Sequence, residues 1–217
     1  MPVDTDRIHR LSLDLTDPAS IATLGTTLRE TFLRVDMLWN VAGILGEGGT
    51  PERSLSQLTA AGCTATFAVN FLGPLLLTKE LLPLVQHRHR RKNSNDPGVL
   101  LATPPLVVAN ISARVGSISD NDTLGGWYSY RTSKAALNQA TRTMAHELQR
   151  YGGATAIALH PGTTDTDLSR PFHRNVKEGS LFPVEFTAEQ LLRAVDTMDP
   201  KVHGGGFYDW AGKAIPF

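Results

Sequence analysis

Tyr130 and Lys134 stand four positions apart in the stretch YSYRTSKAAL, residues 128–137, with Ser133 between them. On a helix, positions four apart share a face one turn apart. A phenol and an ammonium would then enter one small volume. The ammonium favours the phenolate, so the tyrosine pKa is expected to fall from its ordinary value near ~10. A tyrosine tuned in that way exchanges a proton with a carbonyl or alcohol oxygen near neutral pH. The same spacing also occurs in helices as a solvated surface pair, so its meaning depends on the elements around it.

Those elements can be read from the chain in order. Residues 8–15 alternate as a strand ending at Asp14, and Thr16, Asp17 and Pro18 supply an N-cap and an N1 proline. A helix is expected over 19–34, with Ile21, Leu24, Leu28 and Phe32 on one stripe, then a short buried strand over 36–42 running into Gly43. A glycine-rich loop covers 46–51, and a second helical region begins near Leu55. A third helix is expected over 70–86, with Pro74 in its first turn and Pro83 ending or kinking it. Residues 93–97 read as a turn-rich break and 99–105 as extra loop. Residues 106–112, LVVANIS, read as a strand covered on both faces. The helix with Tyr130 spans about 126–150 and stops at Gly152 and Gly153. A buried strand over 155–160 ends at Pro161-Gly162, and a loop runs on to about 186. A helix over 187–196 and a strand over 205–209 close the chain. Alternating strands and helices mean an α/β fold with a parallel sheet, here in a single domain over 1–217. Ligands bind outside the carboxyl ends of such strands, where Asn40, Ser112 and Pro161-Gly162 fall.

Composition narrows the function classes. The 217 residues are 41% hydrophobic and 19% charged, with 21 basic and 21 acidic side chains. A neutral chain gives no electrostatic case for nucleic acid or an anionic membrane. The basic run HRHRRK at 87–92 falls where a helix should end, in favourable contact with its dipole. Cys63 is the one cysteine, which rules out an intramolecular disulfide and fits a reducing compartment. No uninterrupted apolar run is long enough to span a bilayer, and residues 1–10 lack the apolar core of a signal peptide. A cytoplasmic protein is expected.

Several motifs occur in a fixed order: DLTD at 14–17, NVAG at 40–43, VNFLGP at 69–74, NISARVGSI at 110–118, YSYRTSK at 128–134 and HPGTTDTDL at 160–168. Together they resemble the short-chain dehydrogenase/reductase family over nearly the whole chain, and most of all its C-factor or sniffer-like carbonyl reductase branch. The resemblance implies a Rossmann-like three-layer α/β/α fold with a mostly parallel sheet. It also implies an NAD(P)-dependent oxidoreductase, with NADP(H) the expected cofactor and a small carbonyl or alcohol substrate. Under it, Tyr130 is the general acid/base and Lys134 lowers its pKa while binding the nicotinamide ribose. Asn70 holds a water that links Lys134 to solvent. Asp14 and Leu15 lie near the adenine, and Asn40, Ala42 and Gly43 support the sheet and the adenosine side. Pro161, Gly162 and Thr166 sit against the nicotinamide. The plainer alternatives are a helix cap for Asn70 and a simple turn for Pro161-Gly162.

Two departures stand out. Where the family has paired serines, the second polarising the substrate carbonyl, this chain has Ser112-Ala113. Ser112, and after it Ser117, are the hydroxyls expected to substitute. The family also opens with a strand, a glycine-rich turn, a helix and a second strand. Here no glycine-rich turn precedes a helix, and GEGG at 46–49 follows a different strand. The chain therefore reads as N-terminally truncated. The alternative function is a non-catalytic interaction protein unable to bind the dinucleotide. Apolar residues on several faces of the 70–86 helix are read either as burial within its own domain or as the seam of a homodimer or homotetramer. With two strands missing from the family order, residues 8–15 are expected to slide in and pair with residues 37–42.

Overall fold

The computed structural model describes residues 8–32, 34–92, 106–121 and 125–217, with backbone alone over 86–92. The expected break at 93–97 and extra loop at 99–105 lie outside these residues.

Helix α1, Pro18–Thr31, starts where the sequence places it. The Asp17 carboxylate accepts from the Ala19 N–H at 2.9 Å, and Pro18 occupies the first turn. Strand β1, Met37–Asn40, follows. Thr59 caps helix α2, Ala60–Phe67, by accepting from Gly62 N at 3.0 Å. A π-helical turn, Ala68–Leu72, then leads directly into helix α3, Gly73–Lys92. The two helices expected here are thus one, and Pro83 lies inside α3 without ending it. Residues 60–85 are long and apolar enough to cross a bilayer by length and composition, a feature hidden from a search for uninterrupted apolar runs. In the fold α2 packs against the Tyr130 helix and α3 against α1. Arg29 of α1 donates to the Glu80 carbonyl at 2.8 Å and pairs with its carboxylate at 3.1 Å.

Strand β2, Val107–Ile111, leads through a loop to helix α4, Tyr128–Leu148, and on to strand β3, Thr155–His160. Two short strands, β4 at Thr163–Thr164 and β5 at Leu181–Phe182, pair with each other in the next loop. Helices α5, Val184–Thr197, and α6, Pro200–His203, precede strand β6, Phe207–Asp209. The main sheet runs β1-β2-β3-β6, every pairing parallel. Side chains alternate across it. Val108 and Ala156 pack on one face with Val85 of α3 and Ala145 and Leu148 of α4. Ala109, Ile157 and Leu159 pack on the other with Leu191 and Val195 of α5. This is an α/β fold with a parallel sheet covered by helices on both faces, as expected.

Residues 8–15 correct one expectation. They form no strand, and among the described residues β1 pairs with β2 alone. The anchor is Leu15, which lies so close under α3 that a Cβ on Gly73 would come within 2.8 Å of its Cβ. Asp14 is tied into a turn: its carboxylate accepts from Thr16 N and Oγ1 at 2.8 and 2.7 Å, and Ser20 Oγ accepts from Asp14 N. These local bonds fix the entry to α1 in a turn rather than a strand. The outer edge of β1 is left with Met37 38% and Val41 64% exposed.

Candidate active site

Tyr130 and Lys134 lie one turn apart on the buried face of α4, 7% and 3% exposed. Lys134 Nζ donates to the Ile111 carbonyl at the end of β2, at 2.8 Å, and stands 5.7 Å from the centre of the Tyr130 ring. Asn70 joins them from the π-helical turn, a distortion frequent at functional sites. Its amide is fully buried. Nδ2 donates to Ile44 O at 2.8 Å and to Ser133 Oγ at 3.1 Å, while Oδ1 accepts from Ile44 N at 2.8 Å. Asn70 is therefore no helix cap; it ties the loop after β1 to α4. Gly43 lets that loop approach, since a Cβ there would lie 3.3 Å from Asn70 Oδ1 and 3.4 Å from Lys134 Nζ. Ala42 beside it is exposed.

The start of α4 is held from a distance. Trp127 adopts φ 57°, a left-handed conformation that costs a bulky residue about 1–3 kcal/mol. Its N–H donates to the Glu52 carbonyl at 2.5 Å. The Glu52 carboxylate accepts from Ser129 N at 3.3 Å and from the Ser129 hydroxyl. Glu52 thus caps the helix that carries Tyr130 and Lys134. No local pattern announces it, because 77 residues separate it from Ser129. Glu52→Ala is expected to lower stability by about 1–2 kcal/mol, read as a shift in the chemical denaturation midpoint. An unchanged midpoint would show that the cap is dispensable.

Burial governs both ionisable groups. It pushes the Tyr130 phenol up to about 12 and the Lys134 ammonium down to about 8. The expected fall in the tyrosine pKa is therefore corrected: both charged forms lose water, and the ammonium's hydrogen bond goes to a neutral carbonyl. The signs give a test. Between pH 8 and 10.5 the unfolded chain holds the Lys134 proton that the folded chain has lost, so stability rises with pH there. Between pH 10 and 12 the folded chain holds the Tyr130 proton longer, so stability falls. Denaturation at stepped pH should show a rise of order 3 kcal/mol from the lysine, absent in Lys134→Met. A rise that survives in that variant would assign it to other groups.

The phenol faces a cavity of about 330 Å³ at the carboxyl ends of β2 and β3, walled by Leu45, Ala113, His160, Pro161, Gly162 and Thr166 among others. Gly162 sits at φ 75°, where a Cβ would meet the Phe182 ring at 2.7 Å. Ala113 packs with Leu45 and Tyr130 in the wall. Ser112, the hydroxyl expected to replace the missing one, also lines the cavity. Its Oγ donates to Asn138 Oδ1 at 2.6 Å, and its one proton is committed there. Ser117 Oγ likewise donates to the Pro216 carbonyl at 2.6 Å. His160 went unnoticed in the sequence. Burial, with Arg114 nearby, pushes it down to about 4 against the pull of Asp209, and its Nδ1 is buried without a partner.

The remaining predicted residues lie off this cavity. Asn40 Nδ2 donates to Asn110 Oδ1 at 2.7 Å, and Asn110 Nδ2 to Thr141 Oγ1 at 2.8 Å, a buried polar link from β1 through β2 to α4. Asp14 is exposed, its carboxyl held below the usual range by Thr16, and Leu15 packs under α3. After β1, buried Gly46 leads into an exposed 3-10 turn, Glu47–Gly49, with Gly48 and Gly49 at φ 68° and 76°.

Known proteins are similar to this chain in sequence and in fold. The family model for short chain dehydrogenase matches residues 3–93 and 108–177. C-signal of Myxococcus xanthus is 34% identical over 183 residues, 84% of this chain and 93% of that protein. The NADPH-bound carbonyl reductase from chicken fatty liver superposes with a TM-score of 0.80 at 27% identity, over 98% of this chain and 79% of that one. The carbonyl reductase Sniffer of D. melanogaster does so at 0.79 and 26%, with the same coverage.

Proposed function

The chain belongs to the short-chain dehydrogenase family, and from that membership we propose that it is an oxidoreductase using NADP(H) to interconvert a carbonyl and an alcohol. The observation that carries this reading is the buried meeting of Tyr130, Lys134 and Asn70, with Tyr130 lining a cavity. The NADPH bound to the chicken carbonyl reductase supports the choice of cofactor. No support comes from the fold or the relatives for the non-catalytic alternative.

The residues fit the nicotinamide half of that cofactor. Lys134 offers an ammonium to ribose hydroxyls, and Pro161, Gly162 and Thr166 form a wall for the ring beside Tyr130. Gly43, whose missing Cβ leaves Lys134 Nζ approachable, would serve the ribose side with Ala42, while Asn40 supports the sheet beneath them. No glycine-rich turn opening a helix is present among the described residues, so the phosphates have no backbone cradle there. When bound, the nicotinamide supplies or accepts the hydride.

The chain's own task is the proton. A phenol kept neutral by burial donates to the carbonyl oxygen at any pH well below about 12. Lys134 then stabilises the phenolate left behind, and Asn70 holds the loop that completes the rim. Titrating the protein with NADPH while following its fluorescence should give binding at about micromolar level. NADPH should then be oxidised on adding an aldehyde or ketone panel. No binding up to millimolar concentration would overturn the proposal.

A further inference from the structure

Along β2 and β3, alternate side chains face α4. Asn110 and Ser112 donate to Thr141 and Asn138 of α4, and Ala156 packs on its Ala145 and Leu148. Ala158 and His160 continue that face, His160 as the last residue of β3. Its ring lines the cavity beside Tyr130. The two side chains reach that cavity from different elements. Tyr130 comes from α4, packed with Leu45 and Ala113, and His160 from the end of β3 beside Pro161.

Proton transfer from Tyr130 makes no use of this imidazole. Its Nδ1 is buried without a partner, and among the described residues nothing bonds Nε2, which keeps access where the ring lines the cavity. Burial and Arg114, against the pull of Asp209, push the ring down to about 4, so at neutral pH it is uncharged and holds one proton. An unpaired buried N–H is rarer in folded proteins than an unpaired buried acceptor. The proton therefore belongs on Nε2, which makes it an uncharged donor turned to the cavity. Other donors there are committed. Ser112 donates to Asn138, Ser169 donates to the Thr164 carbonyl at 2.5 Å, and Arg114 pairs with Asp120 at 2.7 Å.

We propose that His160 is a specificity residue of this site: its Nε2–H donates to a second, uncharged oxygen that the substrate carries next to the reacting carbonyl. An α-hydroxy ketone or an α-dicarbonyl compound has that pair of oxygens, one for Tyr130 and one for His160. This rests on the cavity being the carbonyl site. A neutral hydrogen bond of this kind gains about tenfold in affinity at most.

Two probes of matched size test this on the full chain: α-hydroxyacetophenone, and propiophenone, in which a methyl group stands for the hydroxyl. Calorimetry gives the ratio of their affinities. Comparing that ratio between the parent and a variant cancels the probes' different hydration. In His160→Leu the preference for the hydroxy ketone should fall about tenfold. His160→Gln, whose amide nitrogen reaches the place of Nε2, should keep most of it. Melting temperatures check folding. NMR of the unaltered protein, labelled on the imidazole nitrogens and assigned with His160→Gln, supplies a reading that needs no folded Leu variant. His160 should carry its proton on Nε2, and that signal should move more with the hydroxy ketone than with propiophenone. A proton on Nδ1, or a ratio unchanged in His160→Leu, overturns the inference. Equal losses for both ketones do so too, since His160 would then serve the reacting oxygen. The two readings also fail separately. Reduction of both ketones that requires Tyr130, with the ratio unchanged in His160→Leu, would sink the His160 role alone. A ratio that falls in that variant, with no reduction of any carbonyl, would uphold His160 and sink the proposed chemistry.

Discussion

Tyr130→Phe should lower the turnover number for carbonyl reduction by about a hundredfold to ten-thousandfold, with the folded structure intact. The reason is local. The Tyr130 ring packs against Leu45 and Ala113 and stands edge-on to Trp127, contacts a phenylalanine ring can keep. The one atom lost is the phenolic oxygen. Stability should therefore move by less than about 1 kcal/mol, while the proton donor disappears. The pH dependence sharpens the test. Burial holds the phenol protonated up to about 12, so reduction by the unaltered protein should not decline through tyrosine ionisation between neutral pH and about 10. Steady-state rates, the rate profile over that range and denaturation midpoints together decide the matter. Turnover within tenfold of the parent would remove Tyr130 from the proton-transfer role.

The sequence made α4 legible because its chemistry and packing use the same period. Tyr130 and Lys134 are one turn apart, and Leu137, Ala145 and Leu148 continue the same buried face. Strands β2 and β3 were legible for a related reason: runs such as Val107–Ile111 are apolar on both sides because helices cover both sides. Residues 8–15 show the limit. Their alternation fits a strand, but a strand also needs an edge to pair with, and that is a property of the whole sheet. Instead, Leu15 is fixed beneath α3 and Asp14 closes a turn with Thr16. Long-range polar partners were equally hidden. Ser112 reads as a free hydroxyl in the sequence, but Asn138, 26 residues on, accepts its proton in the fold. The Glu52 cap on α4 has no signal in its own neighbourhood either. The tyrosine pKa is not legible in the sequence, because spacing brings charges together but does not reveal how much water they lose.

Ala113 gives the second large expected effect, in the direction of gain. It is 9% exposed, lines the cavity wall, and packs beside Tyr130. Ser112 and Ser117, the two hydroxyls nearest in sequence, are both committed as donors elsewhere. The wall at Ala113 is thus apolar where a developing oxyanion would profit from a second donor. Removing such a donor from a site built around it typically costs about a hundredfold to a thousandfold. Adding one to a site not organised for it should return only part of that, about tenfold in the turnover number. The gain should fall on turnover rather than on the Michaelis constant, because the hydrogen bond strengthens as charge develops on the oxygen. Without substrate, a buried hydroxyl lacking a partner should lower stability by about 1–3 kcal/mol. Ala113→Ser is therefore expected to be faster and less stable, a pairing that simple repacking would not produce. Ala113→Val is the control, adding bulk at the same place with no donor, and should slow turnover. If the serine variant behaves like the valine variant, the substrate oxygen does not lie against Ala113, and a different wall of the cavity polarises it. His160 would then be the next side chain to replace, its neutral ring already standing in that wall with Nδ1 unpaired.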